Sequence, residues 1–264
     1  MMNRIEEKFQ RLKKENKKTL ILYITAGYPN LAATRRLVPE LERAGADIIE
    51  LGVPFSDPIA DGVTIQKTSA AALAQGTTLT RILGTVSQIR KESRIPLVLM
   101  GYYNPVLAYG LARFVTDCQK VGVDGLIIPD LPPDEAEPLL RLTGKSDIGV
   151  IFLLAPTSTT ERIKLVSRKS YPFIYYVSVT GVTGARKSLP VNISKKISHI
   201  RRYTKKPVCL GFGVSNPDQA RTILPFVDGI IVGSALLACI EKAGKDYLSA
   251  AKKFVSGLSG TCHR

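Results

Sequence analysis

Eight short apolar segments recur along the 264-residue chain, and none shows the polar alternation of a half-exposed strand. Segments with helical periodicity lie between them. Strands that are apolar on both sides must be buried on both faces, which is typical of a parallel sheet covered by helices. Because open sheets of this kind usually stop at about five or six strands, eight repeats predict an α/β fold closed into a (β/α)₈ TIM barrel. The apolar segments are Leu20–Ala26, Ile48–Val53, Pro96–Met100, Gly125–Pro129, Val150–Ala155, Phe173–Val177, Pro207–Leu210 and Gly229–Val232.

Helical periodicity also predicts the helices that surround the barrel and an additional helix at the N-terminus. Ile5, Phe9 and Leu12 are spaced as on one face of an amphipathic helix, so residues 1–18 are expected to pack on the barrel. No linker or low-complexity tract interrupts the alternation, and we expect one domain over residues 1–264. The predicted outer helices are Leu31–Ala44, Leu79–Arg90, Ala108–Val121, Pro133–Thr143, Thr159–Arg168, Val191–Tyr203, Pro217–Leu224 and Ala235–Val255.

Composition restricts the cellular setting. Apolar residues make up 45% of the chain, enough for a large buried core. No apolar run reaches the roughly 18 residues that span a bilayer, and charges interrupt the N-terminus where a signal peptide would be apolar. We therefore expect a cytoplasmic protein. The four cysteines are widely separated and lie away from both histidines, so buried thiols are expected and a metal site is not.

The formal net charge of +15 is compatible with nucleic-acid binding, but lysine and arginine are spread along the whole chain. The densest cluster, Lys8 to Lys18, fits the solvated face of the predicted N-terminal helix. We expect neither nucleic acid nor a membrane as a partner. The positive field would still favour an anionic substrate.

Two carboxylates stand out near the end of the second strand, and barrel enzymes carry their chemistry at the C-terminal ends of strands. Glu50 lies within the apolar segment, on the same side as Ile48 and Gly52, and Asp61 lies in the following loop. A carboxylate inside a strand is costly unless it has a task or a partner. A salt bridge to a helix is the alternative for Glu50, and a solvated turn is the alternative for Asp61 and Asp57.

Glycines follow three successive late strands. S-V-T-G-V-T-G spans 178–184, G-F-G spans 211–213, and Gly233 with Ser234 opens the last predicted helix. Glycine lets backbone N–H groups approach an anion, and a helix N-terminus adds unpaired donors. Each pair alone could reflect only the needs of a turn. Together they predict a phosphate site, and the lack of a G-x-x-x-x-G-K-[ST] sequence argues against an NTP-hydrolysing loop.

The segment L-G-V-P-F-S-D-P-I-A-D-G at 51–62, preceded by Glu50, resembles the signature loop of tryptophan synthase α chains. The resemblance runs in order over essentially the whole chain. It continues through I-Q at 65–66, Y-Y-N-P at 102–105, G-V-D-G at 122–125, P-D-L-P at 129–132, G-V-T-G at 181–184 and G-F-G at 211–213. One departure is Val63, where the family usually has proline.

This resemblance implies a lyase that splits indole-3-glycerol phosphate into indole and glyceraldehyde 3-phosphate. It implies that Glu50 is the catalytic acid and base and that Asp61 is the second catalytic carboxylate. The implied substrate-binding residues are Tyr175, Tyr102 and Thr183, and the implied phosphate-binding residues are Gly184, Gly213, Gly233 and Ser234. Candidates for an apolar indole pocket are Tyr23, Met100, Tyr102, Leu126, Ile128 and Phe152 or Leu153.

The resemblance also implies a partner and a cofactor arrangement. No cofactor is expected in this chain, since pyridoxal phosphate belongs to a β subunit that joins it in an αββα complex. Asp57, Pro58 and Asn104 match the segments that face this partner. Three alternatives remain open: another phosphosugar-binding isomerase or synthase, a non-catalytic barrel that only activates a β-type partner, and a free-standing indole-producing lyase.

Overall fold

A computed structural model of the chain describes residues 2–177, 193–211 and 213–264. Within these residues, nine parallel strands pair in the order β5-β4-β3-β2-β1-β9-β8-β7-β6. β5 and β6 are separated in the chain only by Phe152, so the order closes into the predicted barrel. The fifth predicted strand is thus divided in two. The strands are β1 Thr19–Thr25, β2 Ile48–Gly52, β3 Leu97–Met100, β4 Gly125–Ile127, β5 Gly149–Ile151, β6 Leu153–Leu154, β7 Ile174–Val177, β8 Val208–Gly211 and β9 Gly229–Val232.

The helices surround the strands, with three departures from the predicted set. A helix follows the Asp61 loop, and another follows Tyr102. The predicted segment Ala235–Val255 is broken after Ala243, where Gly244 adopts a φ of +55° that favours glycine. The helices are α1 Arg4–Lys14, α2 Leu31–Arg43, α3 Val63–Ala74, α4 Leu79–Ile89, α5 Tyr103–Tyr109, α6 Leu111–Val121, α7 Glu137–Thr143, α8 Thr160–Lys169, α9 Ile193–Arg201, α10 Pro217–Ile223, α11 Ser234–Ala243 and α12 Tyr247–Cys262, with a 3₁₀ turn at Gly244–Asp246.

Successive strand residues face opposite sides of the barrel wall. Leu20, Leu22 and Ile24 of β1 pack outward with the helices, whereas Ile21 belongs to an interior cluster. The interior cluster contains Ile5, Phe9, Ile21, Ile48, Val98, Ile127, Ile151, Phe173, Tyr175, Cys209 and Ile231.

Helix α1 closes the N-terminal end of the barrel. Its Ile5 and Phe9 belong to the interior cluster, and the ring centroids of Phe9 and Phe173 are 5.5 Å apart. The side chain of Asn3 caps this helix by accepting from Ile5 N at 2.8 Å, and its amide donates to Asp124 O at 2.7 Å. The predicted N-terminal helix is confirmed, and the open end of the barrel is the end where the strands finish.

Cys118, Cys209 and Cys262 are buried, Cys239 is half-buried, and all four are free thiols. Within the described residues, no cluster of His, Cys, Asp and Glu could hold a metal ion. None of the described helices combines the length and apolar character that a membrane crossing requires.

Candidate active site

Glu50 lies in β2 with its side chain on the interior side of the wall, in line with Ile48 of the interior cluster. It is fully buried, with 0% of its surface exposed, and neither carboxyl oxygen has a hydrogen-bond partner among the described residues. The buried carboxylates at the opposite end of the barrel differ in this respect. Asp124 lies 2.7 Å from Arg90 Nη2, and Asp47 lies 2.8 Å from His263 Nε2. Among the described residues, no salt bridge explains the burial of Glu50.

Burial without a partner controls the protonation of Glu50. Desolvation disfavours the charged form and raises the pKa of this carboxyl to about 8. The group is therefore mostly protonated at neutral pH, yet it can ionise within the physiological range. A pKa near the working pH is the property that a group needs in order to donate a proton in one step and accept one in the next.

Asp61 is held at the mouth of the barrel by its own loop and by Tyr102. Its N–H donates to Pro58 O at 3.1 Å, and its carbonyl accepts from Gln66 Nε2 at 2.8 Å. The Tyr102 hydroxyl donates to Asp61 Oδ2 at 3.2 Å and accepts from Ala60 N at 2.9 Å. Burial raises the pKa of Asp61 to about 6, although the hydrogen bond from Tyr102 lowers it. Asp61 is thus largely ionised at pH 7, while Glu50 is not.

Tyr102→Phe tests this arrangement. The variant removes the donor to Asp61 Oδ2 and the acceptor for Ala60 N, so we expect the pKa of Asp61 to rise and the loop to loosen. We expect kcat/KM to fall about tenfold, consistent with one lost hydrogen bond to a charged group. The acidic limb of the pH profile of kcat/KM should move to higher pH. Tyr103→Phe is the matched control, since Asp130 holds Tyr103 through its backbone N–H. An acidic limb at the same pH in Tyr102→Phe as in wild type would contradict the role of Tyr102 in lowering the pKa of Asp61.

Two buried tyrosines complete the interior wall near the carboxylates. A Cβ added at Gly52 would lie 2.0 Å from the Tyr23 hydroxyl oxygen, and one added at Gly211 would lie 2.2 Å from that of Tyr175. Glycine at these two strand ends is therefore what admits the phenol groups. Burial raises the pKa of both tyrosines, with further contributions from the charges of Glu50 and Asp61. All four groups share the open end of the barrel.

The apolar candidates divide between the two sides of the wall. Met100 and Leu153 pack against the interior cluster, and Tyr23 packs with Ile65 of α3 and Leu237 of α11. Leu126 and Ile128 belong instead to the cluster between strands and helices, so their placement in the pocket was wrong. Of the alternatives Phe152 and Leu153, Phe152 lies in that outer cluster and Leu153 faces the interior. The interior residue of β4 is Ile127, which sequence reasoning missed. A continuous apolar run carries no signal for which alternate residues face inward.

The late strand ends carry the backbone that we expect to bind an anion. β9 ends at Val232, and α11 begins at Ser234 with Gly233 between them and no side-chain cap on the helix. The first N–H groups of this helix therefore lack an intrahelical partner and lie at the positive end of its dipole. A Cβ added at Gly233 would lie 3.0 Å from Tyr23 Cβ, so this helix end adjoins the carboxylate site. Gly213 follows β8 with a φ of +94°, whereas Thr183 and Gly184 lie outside the described residues.

The residues expected to face a partner lie on the same end of the molecule. Asp57 and Asn104 are exposed, and Pro58 is half-buried. Two exposed apolar side chains lie close to them in the chain, Ile59 at 80% and Leu107 at 51% exposure. Sequence reasoning did not single out these two residues, although an aliphatic residue between Pro58 and Ala60 in a polar loop was a visible signal.

The described part of the chain combines a buried glutamate without a hydrogen-bond partner, an aspartate held by a tyrosine, and an uncapped helix after the last strand. The family model for the tryptophan synthase alpha chain matches residues 9–260. The chain belongs to the tryptophan synthase α chain family. It is similar to the α chain of Geotalea daltonii, with 50% identity over 258 residues covering 97% of this chain and 98% of that one. It is also 50% identical to the α chain of Geobacter sulfurreducens over 91% of both chains.

Solved structures agree with the family assignment. The tryptophan synthase α subunit of Legionella pneumophila is 35% identical, with a TM-score of 0.90 and 99% of each chain covered. A Mycobacterium tuberculosis tryptophan synthase chain is 35% identical, with a TM-score of 0.92 and full coverage of both chains. Lyase action on indole-3-glycerol phosphate, a β-subunit partner and the absence of a cofactor from this subunit are properties of the tryptophan synthase α chain family. The alternative of an unrelated phosphosugar enzyme is excluded.

Val63, where the family usually has proline, is the first residue of α3, and Gly62 precedes it in an extended conformation with φ −81° and ψ 167°. Proline is favoured at a first helical position, and an extended residue tolerates a following proline. We expect Val63→Pro to raise the free energy of unfolding by about 0.5–1 kcal/mol by restricting the unfolded chain. Urea unfolding of wild type, Val63→Pro and the control Val63→Ala measures this change. If Val63→Pro is less stable than wild type and Val63→Ala is not, the helix does not begin at residue 63.

Proposed function

We propose that Glu50 and Asp61 carry out the cleavage of indole-3-glycerol phosphate in this chain. Glu50 donates a proton to indole C3, which leaves a positive charge on the ring. The resulting glutamate then removes the proton of the side-chain hydroxyl next to the bond that breaks. The electron pair of this carbon–carbon bond returns to the ring, and indole and glyceraldehyde 3-phosphate separate. Glu50 ends in its starting protonation state.

The burial of Glu50 supports its double role. A carboxyl with a pKa of about 8 is protonated before the first step, and its anion is a stronger base than an ordinary carboxylate. The absence of a partner for either oxygen among the described residues leaves both free for the substrate. This is the single observation on which the proposal mainly rests.

Asp61 is suited to the complementary task. Its lower pKa of about 6 keeps it ionised when Glu50 is protonated, so it can accept a hydrogen bond from the indole N–H. Such a bond strengthens when C3 protonation makes the ring positive, which is the condition for stabilising a transition state. Tyr102 fixes the carboxylate in place, and Tyr175 lines the same end of the barrel.

The phosphate would bind at the N-terminus of α11. Gly233 and Ser234 offer backbone N–H groups and a hydroxyl there, and Gly213 follows the neighbouring strand β8. We propose that Gly184 and Thr183, which lie outside the described residues, also bind the substrate. The helix dipole favours the phosphate charge at this point.

An assay of indole release from indole-3-glycerol phosphate tests the proposal. The purified chain is expected to release indole slowly alone and faster with an added tryptophan synthase β subunit. Release that an added β subunit leaves unchanged would favour a free-standing lyase. No release under either condition would favour a barrel that only activates its partner, and both outcomes would overturn part of the proposal.

We further propose that Asp57, Pro58 and Asn104 contact the β subunit in an αββα assembly. Their exposure and the neighbouring apolar Ile59 and Leu107 support this role, since interface cores combine apolar residues with a polar rim. A cytoplasmic location and a single domain over residues 1–264 belong to the same proposal.

A further inference from the structure

Five lysine and arginine side chains converge at the closed end of the barrel, opposite Glu50. A cavity of about 300 Å³ there lies between α1, the start of β1 and the segment after α9. One carboxylate, Asp228, is among its lining residues. The cationic lining residues are Lys13, Lys17, Lys18, Arg201 and Lys205.

Several of these cations are already engaged, but the excess remains. Arg201 Nη2 lies 2.7 Å from Asp228 Oδ2, and Lys18 Nζ donates to Val227 O at 2.7 Å. Lys17 Nζ lies 2.8 Å from a carboxyl oxygen of Glu15, outside the cavity. Lys13 and Lys205 are exposed and have no ion-pair partner among the described residues. Like charges gathered in this way favour a multivalent anion.

A second groove adjoins this cationic cavity and shares Phe9, Lys13, Lys205 and Pro207 with it. It measures about 530 Å³, and its other walls include the aromatic rings of Tyr171 and Tyr203. Aromatic side chains in the wall of a groove can stack on a planar ring. The two cavities are therefore neighbours with complementary chemistry, one cationic and one aromatic.

The aromatic groove is held in shape by its own hydrogen bonds. Lys206 Nζ donates to the carbonyls of Ser167 and Ser170 at 2.8 Å and 2.5 Å, which fixes the segment after α9 against the end of α8. The hydroxyl of Tyr171 donates to Glu6 of α1 at 2.6 Å. Ser167 also lines this groove and is only 8% exposed. A preformed cavity held in shape in this way is what a ligand site requires.

We propose that the two cavities together bind a nucleoside polyphosphate, with its phosphates among Lys13, Lys18 and Lys205 and its base against Tyr171 and Tyr203. Several adjacent phosphates match several convergent cations, and a planar base matches the aromatic walls. The site is separate from the proposed catalytic site, because α1 and the interior cluster lie between them. The ligand also differs from the substrate, which carries one phosphate.

Isothermal titration calorimetry of the full chain tests the proposal. ATP, inorganic triphosphate, adenosine and a single-stranded oligonucleotide are titrated separately. We expect ATP to bind more tightly than either triphosphate or adenosine, because only ATP occupies both cavities. The double variant Lys13→Glu with Lys205→Glu should weaken ATP binding by tenfold or more. The double variant Lys91→Glu with Lys253→Glu, at two exposed lysines that line neither cavity, is the matched control for charge.

Tyr203→Leu separates the two halves of the site. It should weaken binding of ATP while leaving that of triphosphate unchanged, and indole release should stay at the wild-type rate in all these variants. Equal affinities for ATP and triphosphate would overturn the role of the aromatic groove. Absence of ATP binding would overturn the site itself, and tighter binding of the oligonucleotide would replace the small ligand with a nucleic acid.

Discussion

Glu50→Gln is expected to lower kcat/KM for indole release by about 10³-fold or more, because it removes the group proposed to donate one proton and accept another. The amide has nearly the same size as the carboxyl and can do neither. The barrel should remain folded, since neither oxygen of Glu50 holds a structural partner among the described residues. Binding of a substrate analogue through the phosphate should persist, so the loss should fall on kcat. Activity within tenfold of wild type would remove Glu50 from the mechanism.

The same variant gives an independent readout in the stability of the protein. Because the pKa of Glu50 is raised from 4.5 to about 8, the unfolded chain loses this proton at lower pH than the folded chain does. The free energy of unfolding of wild type should therefore fall relative to Glu50→Gln as pH rises from about 4.5 to 8, by about 1.4 kcal/mol per unit. Above pH 8 the difference should be constant. Urea unfolding of both proteins measures it, and a flat difference would show that the carboxyl is not desolvated.

Asp61→Asn is expected to lower kcat by about 10²-fold, the usual effect of removing one preorganised charge that stabilises a transition state. Asparagine can still accept a hydrogen bond from the indole N–H, but it cannot neutralise a positive ring. Tyr102 keeps a partner at this position, so the loop should stay in place. A loss seen only in KM would mean that Asp61 binds the substrate without favouring the transition state.

The pH profiles of the two proteins separate this role from a structural one. In wild type, kcat/KM should rise as Asp61 ionises near pH 6 and fall as Glu50 ionises near pH 8. Since the substrate phosphate also ionises near pH 6, the contribution of Asp61 is the difference between wild type and Asp61→Asn. Asp61→Asn should keep the alkaline limb. Identical profiles would contradict an essential Asp61 anion.

The barrel could be predicted because buried parallel strands appear in the sequence as short, continuous apolar segments. Helix α3 could not be predicted in this way, because its sequence V-T-I-Q-K-T-S-A-A-A-L-A has no clear apolar stripe. The inward face of β4 was also missed, because Leu126, Ile127 and Ile128 are equally apolar. Only the packing of α1 and the neighbouring strands shows which of them points inside.

The positions of the two carboxylates could be predicted from the sequence, but their chemical properties could not. Their positions followed from a strand end, and their pairing followed from the family resemblance. The properties that make them useful depend on residues distant in sequence. The hydroxyl of Tyr102 lies 41 positions from Asp61, and Glu50 has no hydrogen-bond partner among the described residues. No local pattern encodes such an absence, which depends on how the whole barrel wall packs.

The most direct test is a titration of the Glu50 carboxyl in the isolated chain. Carbon-detected NMR of glutamate-labelled wild type and Glu50→Gln between pH 4 and 10 isolates its signal by difference. Burial without a partner predicts a midpoint near pH 8. A midpoint near 4.5 would mean that Glu50 is solvated or paired with a cation, and would contradict its role as the acid and base of the reaction.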